Sequence, residues 1–231
     1  MKIIAVIPAR GGSKRIPHKN IRLFAGKPII AYSIEVAQDS SLFDRIIVST
    51  DDEKIAAVAR SFGAEVPFVR PAALADDFCG TNAVVKHCLQ WLQQEENYFA
   101  DIVCCIYATA PFIKEIYLHQ GLDLLLSQRK SFAFSVTSYA FPVQRALRID
   151  KNGCVEALYP ENIAVRSQDL EPVYHDAGQF YWGTSAAFLN DAVTYSPISV
   201  PVILPRYLVQ DIDTEEDWQQ AEMMFHAINH G

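Results

Sequence analysis

The chain has 231 residues, half of them hydrophobic and a fifth charged. That is enough for a well-buried α/β core and excludes disordered, collagen-like and low-complexity proteins. The formal charge of −7 conceals an asymmetry: residues 1–27 carry seven Lys and Arg and no acid, leaving 13 basic and 27 acidic side chains for the other 204. Such a balance argues against nucleic-acid binding and suits a small polyanion held at one place.

The first element is the apolar run Ile3–Ile7, which stops at Pro8 and is followed by basic residues. It lacks the length and the cleavage site of a signal peptide, and no run in the chain reaches the roughly 18 apolar residues of a membrane span. A cytoplasmic protein without membrane partners is expected. Further strand-like runs at Arg45–Ser49, Glu65–Phe68, Ile102–Tyr107 and Phe132–Thr137 alternate with helical spacing at Ile29–Ala37, Glu53–Phe62, Val84–Gln94 and Ile116–Leu126. This alternation predicts a doubly wound, mostly parallel nucleotide-binding α/β sheet with helices on both faces. Thr50-Asp51-Asp52 suits the start of the second helix. From Ser138 to Tyr174 the rhythm breaks, and Asp150-Lys151-Asn152-Gly153 reads as a hairpin turn. One domain spanning 1–231 with a β-rich arm inserted at about 139–175 is therefore expected. Strand character returns at Gln179–Trp182 and Val200–Leu204, helical character at Ser185–Leu189, and the chain closes on a helix over Glu215–Ile228.

The five cysteines are odd in number and form no Cys-x-x-Cys pair; Cys104 and Cys105 sit in an apolar run, so those two read as inert buried thiols. The histidines show no metal-ligand spacing. In open α/β sheets, ligands bind beyond the carboxyl ends of the strands, which directs attention to the loops after Ile7, Ser49, Phe68 and Tyr107. The first of these, Pro8-Ala9-Arg10-Gly11-Gly12-Ser13-Lys14-Arg15-Ile16-Pro17-His18-Lys19-Asn20, is neither a Walker loop nor a dinucleotide fingerprint. Gly11 and Gly12 allow backbone N–H groups to approach an oxyanion, and Arg10, Lys14 and Lys19 supply positive charge for phosphates. The competing reading is a solvated basic loop. At the other end, Asp211 and Asp213 are two residues apart, so an extended backbone turns both carboxylates to one face. They read equally well as ligands of a divalent cation such as Mg²⁺ or as the acidic start of a helix capped by Thr214.

Several segments in order resemble the cytidylyltransferases that activate acidic sugars as CMP-linked 2-keto acids. They are the loop above, Phe43–Asp51, Gly63–Pro67, Arg70-Pro71-Ala72, Leu74-Ala75-Asp76-Asp77 and Asp211-Ile212-Asp213-Thr214. The resemblance runs nearly end to end. It implies transfer of CMP from CTP to the anomeric hydroxyl of a nine-carbon keto sugar acid, with release of pyrophosphate and Mg²⁺ held by Asp211 and Asp213. Arg10, Gly11, Gly12, Lys14, Lys19 and Asn20 would meet the nucleotide and its phosphates, with Arg10 and Lys19 stabilising charge during transfer. Arg70 and Thr81 would contact the nucleoside; the plainer alternatives are a surface arginine and the cap of the helix over Asn82–Gln94.

Two stretches depart from the sialic-acid branch of that family: Tyr107-Ala108-Thr109-Ala110-Pro111, and Tyr174-His175-Asp176-Ala177-Gly178-Gln179-Phe180-Tyr181-Trp182. The second resembles the branch that activates pseudaminic acid, with sialic, legionaminic and other keto-deoxy acids as the alternative acceptors. Tyr107, Gln179 and Tyr181 are candidate acceptor contacts. Arg166 matches a family arginine associated with acceptor binding, set against a surface ion pair with Asp169 or Glu171. Phe180 and Trp182 read as readily as core. Homodimerisation through the arm is implied by the same resemblance.

Overall fold

A computed structural model describes residues 1–76 and 79–230; Asp77 of the quoted acidic run lies outside the described residues. The chain begins with β1 (Ile3–Pro8), then a long loop leading to a small two-stranded ladder, β2 (Leu23–Phe24) with β3 (Lys27–Pro28). Helix α1 (Ile29–Asp39), β4 (Arg45–Ser49), α2 (Glu53–Ser61), α3 (Thr81–Glu95), β5 (Ile102–Ile106), α4 (Glu115–Ser127) and β6 (Phe132–Ser138) follow. An arm carries the hairpin β7 (Leu147–Ile149) and β8 (Val155–Ala157), turning at Asp150–Cys154 as the sequence predicts. The chain returns through β9 (Tyr174–Thr184), α5 (Ser185–Leu189) and β10 (Ser199–Ile203), and ends with α6 (Glu215–His230).

Six strands form one sheet in the order β10-β6-β9-β5-β1-β4. All neighbours are parallel except β9, which runs antiparallel to both β5 and β6. The sheet is thus mixed and mostly parallel. Periodicity placed the helices to within a few residues, because each has one apolar stripe. On one sheet face, Ile34 and Ala37 of α1, Ile55 and Ala59 of α2, and Leu118 and Leu122 of α4 pack against Ala5, Ile7, Val48 and Cys104. On the other, Val85, Cys88 and Leu89 of α3 and Phe188 of α5 cover Ile4, Val6, Val103 and Cys105. Cys88, Cys104 and Cys105 are buried thiols whose pKa burial raises, as expected of inert core residues.

Two strand expectations change. Glu65–Phe68 does not form a strand; it touches the sheet edge only through isolated parallel bridges, Ile47 with Glu65 and Thr50 with Val69. The stretch Gln179–Trp182 is the middle of an eleven-residue strand whose direction no apolar pattern reveals. Phe180 and Trp182 are fully buried core, with Trp182 stacked on Phe43 at 5.3 Å between ring centroids. The pairing of β6 with β9 shifts register between Phe134 and Val136, a bulge that sets Gly178 at φ +60°.

A third cluster sits at the ligand-side rim. Ile16 of the first loop, Phe24, Phe112, Leu208, Ile212 and Trp218 are buried together, so α6 is packed against the loop that follows β1. The joint is reinforced by Arg22, which reaches Glu215 at 2.5 Å and lies over the Trp218 ring.

Candidate active site

Beyond the carboxyl end of β1 lies a cavity of about 520 Å³, with Arg10, Lys14, Arg15, Lys19, Asn20, Arg70, Thr81, Thr109 and Asp213 in its wall. Five cationic side chains and two acidic ones, Asp76 and Asp213, surround it, so its field is positive although the chain is acidic. The placement follows from local sequence. Pro17 prevents a helix immediately after β1, and the loop runs through bends and a turn, with His18 in the left-handed region, to a short 3-10 turn at Lys19–Ile21. Ile16 anchors its middle in the third cluster, and the Asn20 amide donates to the Arg10 carbonyl at 2.9 Å. The loop's charges are therefore held on a fixed frame.

Gly11 has a different task from the one expected. Its N–H donates to Asp51 Oδ1 at 2.9 Å, and a Cβ there would stand 2.7 Å from Asp52 Oδ2. It permits close packing of the loop on the start of α2, where Asp52 caps the helix by accepting from the Lys54 and Ile55 N–H groups. Gly12 is open.

Arg70 is a buried residue rather than a surface one, 4% exposed. Its Nε donates to Ser49 Oγ at 3.1 Å, a terminal nitrogen donates to the Ser49 carbonyl, and the other donates to the Leu74 carbonyl at 3.4 Å. Burial lowers its pKa, and the nearby Asp51 charge opposes that. Thr81 does not cap α3. Gly80 holds the cap position and Thr81 is the first helical residue, its Oγ1 3.2 Å from the Tyr107 hydroxyl.

The carboxylate pair brackets Ile212, which is buried, so Asp211 and Asp213 turn outward together. Asp213 lies in the cavity wall, 3.0 Å from Arg15 and 3.4 Å from Lys19. The Asp211 carboxyl is lifted above the usual aspartate range by desolvation and by the Asp213 charge, while Lys19 opposes the shift. Thr214 also caps α6: its hydroxyl accepts from the Asp217 N–H at 3.2 Å, and Asp217 accepts from the Thr214 N–H at 2.8 Å. The cap reading and the paired-carboxylate geometry thus hold side by side. Asp213 in the wall of the cationic cavity, with Asp211 two residues away on the same outward face, fits the donor set of Mg²⁺, which takes one or two carboxylates with phosphates and water. No cluster of three or more acidic, His or Cys ligands exists among the described residues.

The acceptor candidates divide. Tyr107 meets the cavity wall at Thr81, and its ring lies 5.5 Å from that of Tyr181. Tyr181 in turn stacks on Phe134 and donates to Asp176. Gln179 is buried and donates its amide to the Leu208 carbonyl, so it ties β9 to the segment before Asp211. Arg166 is exposed on the arm in a bidentate pair with Asp169, at 2.6 and 3.1 Å, and does not line the cavity of its own chain. Sequence reasoning overlooked Arg15, although it stands inside the basic loop beside Lys14.

A positive cavity at the strand ends of a mixed α/β sheet, edged by an Asp-x-Asp pair, defines a nucleotidyltransferase. The profile of the family described as cytidylyltransferase matches residues 4–189, and the chain belongs to that family. It is 45% identical to the pseudaminic acid cytidylyltransferase of Campylobacter jejuni strain 81-176, covering all of this chain and 98% of that one. It is 36% identical to the CMP-N,N'-diacetyllegionaminic acid synthase of Legionella pneumophila, covering 97% of this chain and 96% of the relative. Its fold matches that of a CMP:2-keto-3-deoxy-manno-octonic acid synthetase complexed with CTP, with a TM-score of 0.70 over 99% of this chain and 100% of the other at 17% identity. Among the described residues no helix is long and apolar enough to cross a membrane.

Proposed function

We propose that this enzyme transfers CMP from CTP to the anomeric hydroxyl of pseudaminic acid, giving CMP-pseudaminic acid and pyrophosphate. The cation-lined cavity with Asp213 in its wall carries the reaction class, and 45% identity over the whole chain supports the acceptor. Arg10, Lys14 and Lys19 hold the triphosphate. Arg70, locked to Ser49, and Thr81 receive the nucleoside. Arg10 and Lys19 stabilise charge on the phosphates as the anomeric oxygen bonds to the α-phosphorus and the bond to pyrophosphate breaks. Asp211 and Asp213 would hold Mg²⁺, which supplies charge neutralisation and acidifies the attacking hydroxyl. Lys19 and Arg15 on Asp213 keep that carboxylate oriented toward the cavity.

The arm is proposed to dimerise the enzyme. None of residues 139–173 is buried, and Phe141, Leu147, Ile149 and Val155 are exposed apolar side chains on it. A second copy of the chain would cover them, and would bring Arg166 toward the partner's acceptor to pair with the sugar carboxylate. A cytoplasmic location is part of the same proposal, supported by the use of CTP and by the lack, among the described residues, of a helix long and apolar enough to cross a membrane.

The deciding assay is pyrophosphate release with CTP and Mg²⁺, comparing pseudaminic, legionaminic and N-acetylneuraminic acids. Preferred turnover of pseudaminic acid is expected. Preference for another acid would keep the reaction and overturn the acceptor; no release with any of them would overturn both.

A further inference from the structure

Two tyrosines away from the cavity wall at Thr81, and outside every role assigned above, stands one carboxylate wrapped in phenols. Asp176 Oδ2 accepts from the Tyr181 hydroxyl and, at 2.7 Å, from the Tyr195 hydroxyl; its Oδ1 accepts from the Gly178 N–H at 2.8 Å. The β9 bulge makes this possible. Val136 pairs with Asp176 on one side of the register shift and Phe134 pairs with Tyr181 on the other, so a five-residue step in β9 spans a two-residue step in β6. Because β9 runs antiparallel to β6, its first residues lie at the carboxyl end of β6, on the ligand side of the sheet. Tyr181 then leads through the Tyr107 ring to Thr81 in the cavity wall.

We infer that Asp176 is a specificity-determining residue that accepts a hydrogen bond from an N–H or O–H group of the acceptor sugar. The inference rests on the acceptor reading above. An ionised carboxylate has about four acceptor positions, and three donors of this chain leave one for a ligand. Its charge also sorts the ends of a sugar acid. The substrate carboxylate is repelled from Asp176 and drawn to the cationic cavity, so the end bearing acylamino and hydroxyl groups faces the phenols. A sugar with a second acylamino group offers an N–H that a mono-acylamino sugar lacks, and a site built around such a bond discriminates against the analogue without it. Tyr181 and Tyr195 position the carboxylate. Tyr195 is an exposed residue, so its phenol can be removed without opening the core.

The test is Asp176→Asn, which keeps shape and, with its amide oxygen turned to Tyr181 and Tyr195, still accepts from both phenols while giving up the Gly178 N–H and the remaining acceptor position, assayed by pyrophosphate release at saturating CTP. The acceptor KM should rise about tenfold or more while the CTP KM stays within twofold, and the preference for pseudaminic over N-acetylneuraminic acid should shrink. Tyr195→Phe should move the acceptor KM in the same direction by about threefold. An unchanged acceptor KM in both variants, or an equal rise in the KM of CTP, overturns the inference. The acceptor reading fails separately, when the wild type prefers another acid. Asp176→Asn assayed on that acid must then still raise its KM, and an unmoved value counts against Asp176.

Discussion

The basic loop after β1 and the arm after β6 both leave the ligand side of the same sheet, yet they are built on opposite terms. The loop is mostly polar and still finished within one chain: Ile16 is fully buried, Asn20 holds the Arg10 carbonyl, and Arg22 grips α6. The arm is rich in apolar side chains and buries none of them, with Phe141 84% exposed. Fixed phosphate-binding charge needs rigid support, which the third apolar cluster supplies, whereas the arm's apolar surface has value only against another molecule.

Five perturbations test that contrast. The largest effect is expected at the loop's end of the molecule: Asp211→Asn should lower turnover on the order of a hundredfold or more. Ionised Asp211 is held there against desolvation and the Asp213 charge, so removing its charge should not lower the melting temperature of the metal-free protein. Pyrophosphate release and thermal unfolding read both, and an active variant would remove the metal assignment. Next, Arg70→Ala takes the Nε donor from the buried Ser49 hydroxyl and leaves the Ser49 carbonyl with the Ala9 N–H alone, and should cost about 2 kcal/mol of stability, measured by urea denaturation, together with a higher CTP KM. A variant as stable as the wild type would mean Arg70 braces nothing.

On the arm the expectation is reversed, with little change in stability and a change in assembly. Ile149→Asp with Val155→Asp should shift the protein from dimer to monomer in sedimentation equilibrium while its circular dichroism is retained. Arg166→Ala should raise the acceptor KM about tenfold with the CTP KM unmoved. Monomeric wild type, or an arginine variant with ordinary acceptor kinetics, would sever the arm from the site. The smallest effect belongs to the joint between loop and α6: Thr214→Ala removes a helix cap and should cost about 1 kcal/mol. Equilibrium unfolding at several urea concentrations measures it, and a null result would show that Asp217 alone holds the helix start.

The sequence made the loop legible because charge and glycine concentrate there, and it made the helices legible because burial on one face imposes a period. It could not show the direction of β9, since an apolar run packs equally well in either sense. The plainer alternative for Thr81 fails on a tertiary contact as well: a hydroxyl before an apolar stripe looks like a cap, but Gly80 occupies that place and the Tyr107 hydroxyl, distant in sequence, lies 3.2 Å from the Thr81 oxygen. Gln179 and Asp176 owe their partners, Leu208 and Tyr195, to tertiary approach across 29 and 19 residues. Nothing local encodes such pairings.

The antiparallel course of β9 makes β6 and β9 the two legs of one hairpin, with the whole arm as its connecting loop. The entropy of closing such a loop grows only logarithmically with its length, about 0.6 kcal/mol for each doubling. The legs are already fixed by the sheet, so residues can be added to or taken from the arm at almost no thermodynamic cost to the core. Segment exchange at Ser138 and Tyr174 is accordingly a practical route to re-engineering what the arm meets, with the catalytic frame left standing.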